Sequence, residues 1–159
     1  MTEARQNTVA IATRIYEPEP AAAAFRLAAV TRSCLEDGLR VRVLTTAFDG
    51  IGSIRSPTLK VLRWPVLRDS KGYVRGYLPY LSFDVPLFFR VLFGPRPDVM
   101  LVEPPPTTGA AARVACTLRR IPYVWYAADI WSDASASTGA PAPVVAAVRA
   151  LERFSVRGA

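Results

Sequence analysis

Short apolar runs alternate along this chain with longer stretches whose apolar residues recur every three or four positions, the rhythm of buried parallel strands joined by helices. Thr8 to Thr13 (TVAIAT), Arg40 to Thr45 (RVRVLT), Leu59 to Arg63 (LKVLR), Val99 to Val102 (VMLV) and Tyr123 to Tyr126 (YVWY) read as strands, the third the weakest. Between the first two, Phe25, Leu27, Ala28, Val30, Thr31, Cys34 and Leu35 fall near helical spacing. Pro20 suits the first position of that helix and Gly38 the left-handed residue after it. A second helix opens at Thr107 or Thr108, either of which offers a capping oxygen; it continues from Ala110 to Arg120 and stops before Pro122. Two strand, helix, strand units imply right-handed parallel crossovers. The expected fold is α/β: a three-layer, Rossmann-like, doubly wound and mainly parallel sheet with helices on both faces.

The segments between are less regular. Ala47 to Pro57 is rich in Gly and Ser and reads as a loop, and a further loop carries Arg68, Asp69, Lys71 and Gly72. Tyr73 to Phe93 is strongly aromatic, but Pro79 and Pro86 interrupt it and Asp84 and Arg90 charge it. It is too short and broken for a membrane span and predicts two short helices. Their aromatic side chains pack on the sheet in the simpler reading; in the sharper one some face an apolar acceptor or a membrane surface. Ser132 to Pro143 is a small-residue loop, and Val144 to Phe154 an amphipathic helix. A chain of 159 residues, 51% hydrophobic, is expected to form one domain over 1–159 with a sizeable core.

Charge adds a second layer. The net +7 comes from 20 Lys plus Arg against 13 Asp plus Glu, which fits an anionic partner such as a phosphate or lipid headgroup, or simply a basic surface. There is no histidine, which excludes a His-based triad or a His-rich metal site within these residues. Cys34 and Cys116 read as buried small apolar residues inside helices, in a reducing cytosol. Met1 to Asn7 is polar and lacks the apolar core of a secretory leader, so secretion is disfavoured and the expected location is cytoplasmic, with the inner face of the membrane as the further option. No P-loop, dinucleotide glycine fingerprint or RNA-binding aromatic motif is present, which weakens hydrolase, dehydrogenase and nucleic-acid readings.

Ligands of an open parallel sheet bind beyond the carboxyl ends of its strands, so the candidate rim comprises Arg14 to Ala22, Glu103 to Thr108 and Asp129 to Asp133. Pro20, Ala21 and Ala22 lie at a helix N-terminus, where free amides favour a diphosphate, with Arg14 and Arg26 able to assist. Asp129, just after a buried strand and beside Trp131, is placed to stabilise developing positive charge or orient a hydroxyl; the alternative is a capping or structural aspartate. The alternative for Glu103 is an ion pair with Arg14 across the rim.

The stretch IATRIYEPEPAAAAFRLAAVTRSCLEDGLRVRVLTT resembles the opening of family 4 glycosyltransferases of the GT-B fold. Asp98 to Pro106 is similar to their "PDVVxxxxPP" segment, Tyr123 to Asp133 to their "PFVxxxRDLWPE" segment, and Leu151, Glu152 and Arg153 match the helix before the domain linker. The likeness is strongest to bacterial enzymes of surface-polysaccharide and related glycan assembly. It implies a retaining transferase that moves a sugar from a nucleotide-diphosphate donor to a glycan, lipid-linked or small-molecule acceptor, without a metal or other cofactor. It implies that this chain is the N-terminal, acceptor-side domain, inactive without a C-terminal donor domain. By the same resemblance Asp129 is the catalytic candidate. Pro20, Ala21, Ala22 and Arg26 form the donor-facing loop, with the alanines at the positions of paired glycines. Arg14, Tyr16, Glu103, Thr107, Thr108 and Trp131 lie on the acceptor side. The rival reading is a standalone binding or membrane-associated module that needs a separate partner chain, and a third is a small flavodoxin-like nucleotide-binding protein.

Overall fold

In the computed structural model, the described residues are 6–159; the polar opening read as lacking a leader lies outside them except for Gln6 and Asn7. Strands β1 (Thr8–Ala12), β2 (Arg40–Thr46), β3 (Ile54–Arg55), β4 (Leu59–Trp64), β5 (Val99–Val102) and β6 (Tyr123–Trp125) form one sheet in the order β3-β4-β2-β1-β5-β6. Only β3 runs antiparallel. The expected Rossmann-like α/β arrangement is therefore the one observed.

Strand alternation divides the core between two faces. Ile11, Val41, Val43 and Val61 point toward helix α1 (Ala22–Glu36), which buries Leu27 and Ala28 against them. Ala10, Ala12, Leu44, Trp64, Met100 and Val102 point the other way, under α2 (Tyr77–Phe93) and α3 (Pro106–Arg119). The alternation places one side chain in two on each face, which makes both faces of the sheet apolar. Gly38, at φ +75°, ends α1 and lets Leu39 N–H reach back to the Cys34 carbonyl.

Several local expectations are corrected. The segment read as two short helices is one, α2, because Phe83, Leu87 and Val91 recur every four residues and are buried on the sheet. Pro79 falls in the first turn, where backbone N–H groups have no helical partner, so it breaks nothing. Pro86 removes one internal bond at a cost of about 3 kcal/mol, a loss comparable to burying one or two of those side chains. Pro20 does not open α1, which begins at Ala22 with an extended Ala21 before it. Neither Thr107 nor Thr108 caps α3: Pro105 holds the cap position and Pro106 the first turn, with the threonines inside the helix. The Ala47 to Pro57 loop contains the two-residue edge strand β3.

The small-residue loop after Trp131 is largely helical as well. Helix α4 (Trp131–Ser137) starts there, and α5 (Ala142–Val156) packs against both α3 and α4. No side chain of α4's own cap residue serves it. Instead the Glu152 carboxylate, from α5, accepts from Trp131 N–H and from the Ser132 hydroxyl, each at 2.8 Å. A cap supplied from another helix leaves no local sequence signal. Gly109 lets α5 approach α3: a Cβ there would fall 2.5 Å from Ser155 Oγ and closer still to the Trp125 ring. Cys116 is buried as expected, its thiol pushed up to about 11 by desolvation, whereas Cys34 is only half-buried.

Candidate functional site

The chain leaves β1 toward β2 and β4 on one side and later returns to β5 and β6 on the other, so the connections after β1 and β5 diverge. That divergence opens a crevice at the carboxyl edge of the sheet, where open α/β sheets hold their ligands. A cavity of about 110 Å³ lies there, lined by Arg14, Glu103, Asp129 and Trp131 among others. Three separate strand exits thus supply its walls: Arg14 after β1, Glu103 after β5, and Asp129 after β6.

Glu103 is buried and accepts the Thr13 hydroxyl at 2.5 Å across the crevice. Burial raises its pKa, opposed by that hydrogen bond and by Arg14 and Arg26, while Asp129 adds a smaller upward push. The expected ion pair between Glu103 and Arg14 does not form. Arg14 instead turns its guanidinium over the Tyr80 ring, 4.2 Å from the centroid, with Trp131 at 5.9 Å, and donates to the Val74 carbonyl at 3.2 Å. Its Nε is buried without a hydrogen-bond partner among the described residues. Burial lowers its pKa, offset by Tyr80 and by the nearby carboxyls of Asp84 and Glu103.

The pattern along the chain does not mark Asp84 and Tyr80 as site residues. They sit four apart on α2, hence on one face of a continuous helix, a pattern hidden when the segment is divided at its prolines. Asp84 is buried and accepts from Thr108 at 2.5 Å; its second oxygen has no hydrogen-bond partner among the described residues. Burial pushes its carboxyl up, countered by Thr108, Thr107 and Arg14.

The remaining candidates divide. Tyr16 is in the core under α1, its hydroxyl donating to Thr31 at 3.0 Å, so it does not reach the rim. Thr108 is fully buried in its bond to Asp84. Pro20, Ala21 and Ala22 stand at or before the start of α1 and do not line the small cavity. Arg26 is exposed on α1, yet close enough to bear on the Glu103 carboxyl. Glu19 is tied down by Arg68 at 3.3 Å, and Arg68 also donates to the Ala47 and Gly72 carbonyls, which fastens the loop after β4 to the rim.

Thr107 and Trp131 also border a larger, mainly apolar groove of about 340 Å³, with walls from the start of α2, α4 and α5. Both the Thr107 hydroxyl and the Trp131 indole N–H are buried without hydrogen-bond partners among the described residues. Trp131 therefore stands between a small pocket of carboxylates and an apolar trough. Carboxylates accept hydrogen bonds from hydroxyls and an aromatic wall packs on apolar surface, a combination suited to a polyol joined to an apolar group.

Residues 21–159 match the glycosyl transferase 4-like domain family. The chain belongs to this family of glycosyltransferases. No curated protein matches it in sequence. The glycosyltransferase 4-like match covers β2 to α5, the whole of α1, and two of the three cavity-forming exits, those of Glu103 and Asp129. Among the described residues of this glycosyltransferase domain, no group of His, Cys, Asp and Glu side chains is arranged to hold a metal ion.

Proposed function

We propose that this domain forms the acceptor wall of a retaining, metal-independent sugar transfer from a nucleotide-diphosphate donor. The donor nucleotide is held by a second Rossmann-like domain that faces the same rim, and neither domain turns over alone. The observation that carries the reading is the convergence of Arg14, Glu103, Asp129 and Trp131 at the crevice where the sheet order reverses. Asp129 orients the attacking hydroxyl and stabilises positive charge developing at the sugar carbon. Glu103, fixed by Thr13, accepts a neighbouring hydroxyl, and Trp131 packs on the acceptor's apolar side. The start of α1, with Arg26, faces the diphosphate, where helix amides favour negative charge. The adjoining groove favours an acceptor with an apolar portion over a free sugar.

The test is transfer by the complete enzyme from a panel of nucleotide-diphosphate sugars to matched acceptors with and without an alkyl tail. Asp129→Asn is expected to lower kcat about 100-fold with little change in melting temperature, because Asp129 is exposed and the lost interaction belongs to the transition state. Unchanged turnover and acceptor affinity would place the reaction elsewhere. Equal use of tailed and untailed acceptors would remove the role assigned to the groove.

A further inference from the structure

The outer surface of α2 is unusual for a helix that packs on a sheet. Leu81, Val85, Phe89 and Phe93 follow one another at four-residue steps and all are exposed, Phe93 by 77%, with Leu78 exposed at the same helix's start. Residues four apart form a continuous ridge along a helix. The Phe89 and Phe93 rings stack at 6.1 Å. On the neighbouring α3, Val114 and Leu118 are exposed too, and an apolar trough between the two helices joins the ridges. An exposed apolar surface of this continuity on a soluble fold marks a docking face.

Its charge is one-sided. The only acidic residue on either helix is Asp84, which is buried and bonded to Thr108. The other charges are arginines: Arg90 on α2, stacked on Trp64 of the sheet at 4.3 Å, and on α3 Arg113, stacked on Phe154 of α5, and Arg119. Near Phe93, Arg119 donates to the Val91 and Gly94 carbonyls, and Arg96 and Arg120 are brought together because Arg96 donates to the Arg120 carbonyl. An apolar ridge bordered by arginine and free of exposed carboxylate complements an anionic lipid surface. A second copy docked on the same face would bring these arginines toward one another, which disfavours self-association. None of the described helices is long and apolar enough to cross a membrane, so seating would be interfacial.

We propose that the α2–α3 face rests on an anionic bilayer, with Phe89 and Phe93 in the headgroup–acyl boundary and Arg96, Arg119 and Arg120 on the lipid phosphates. Tyr77, on the lip of the apolar groove, lies at the other end of the same helix, so the seated face leads toward the groove mouth. Arginines near an anionic surface each strengthen binding about fivefold, and the effect is screened by salt.

Flotation with vesicles tests this without any activity assay. The protein is expected to float with phosphatidylcholine vesicles containing phosphatidylglycerol and to bind pure phosphatidylcholine at least about tenfold more weakly. Phe89→Ser with Phe93→Ser should weaken binding to the mixed vesicles about tenfold, and separately Arg96→Gln with Arg120→Gln about 25-fold, each leaving the circular dichroism spectrum unchanged. If the phenylalanine pair fails to fold, the arginine pair alone decides. Equal binding to both vesicle types, or full binding by the arginine pair, overturns the proposal. So does a concentration-dependent dimer in sedimentation that the phenylalanine substitutions abolish.

Discussion

Thr108, inside α3, donates its hydroxyl to the buried carboxyl of Asp84 on α2 at 2.5 Å, and the second carboxyl oxygen has no hydrogen-bond partner among the described residues. That bond joins two helices that otherwise meet through apolar side chains and, at their far ends, through Arg119, which donates to the Val91 carbonyl. Thr108→Val keeps the shape but strands the Asp84 oxygen. It should cost about 2 kcal/mol, a fall of about 4–8 °C in melting temperature. Calorimetry showing no loss would mean that the bond contributes nothing to helix pairing.

The same carboxyl sets a pH dependence. Burial raises the Asp84 pKa above its unfolded value, so the folded state holds the proton more tightly. Its stabilising contribution is complete below the unfolded pKa, near about 4, and is lost as pH rises through the folded pKa. Asp84→Asn has no charge to bury and still accepts from Thr108. The melting temperature of the variant minus that of the wild type should therefore increase from about pH 4 to pH 7. A difference that stays flat, or shrinks, would show that Arg14 compensates the buried charge fully.

Gly109 offers a sharp contrast with ordinary helix positions. Replacing an exposed helical glycine by alanine stabilises by about 1 kcal/mol. Here the new methyl would collide with Ser155 and Trp125, so Gly109→Ala should destabilise by about 1–3 kcal/mol and loosen α5 from α3. Faster amide exchange in α5 is the expected signature. Unchanged exchange and melting would mean that the two helices separate without cost.

Tyr16 separates structure from site. Tyr16→Phe removes the bond to Thr31 and should cost about 1 kcal/mol while leaving acceptor KM unaltered, because the hydroxyl lies under α1. A raised KM with unchanged stability would return Tyr16 to the acceptor side.

Glu152 positions Trp131 by accepting its backbone N–H. Glu152→Ala should lose about 1 kcal/mol of capping and raise acceptor KM more than it lowers kcat, and Glu152→Gln, which keeps an acceptor oxygen, should restore most of the affinity. An equal loss in both variants would show that charge, not positioning, matters there.

The amino-acid sequence alone determined the layered sheet and the location of the rim. Val99 to Val102 can only be a covered strand, and the Glu103-Pro104-Pro105 stop fixes where it exits; Tyr123 to Tyr126 before Asp129 works the same way. Such signals are local, because a change from apolar to polar along the backbone marks the end of burial. Tertiary structure decided which side chains meet. Tyr16, read at the rim, turned into the core because α1 covers it, and Asp84 and Tyr80 entered the site because the sheet holds α2 continuous through Pro86. Helix α4 formed where only small residues were visible because a carboxylate 21 residues away caps it. Side-chain direction and capping from a distant element depend on packing between segments, and no window along the chain contains them.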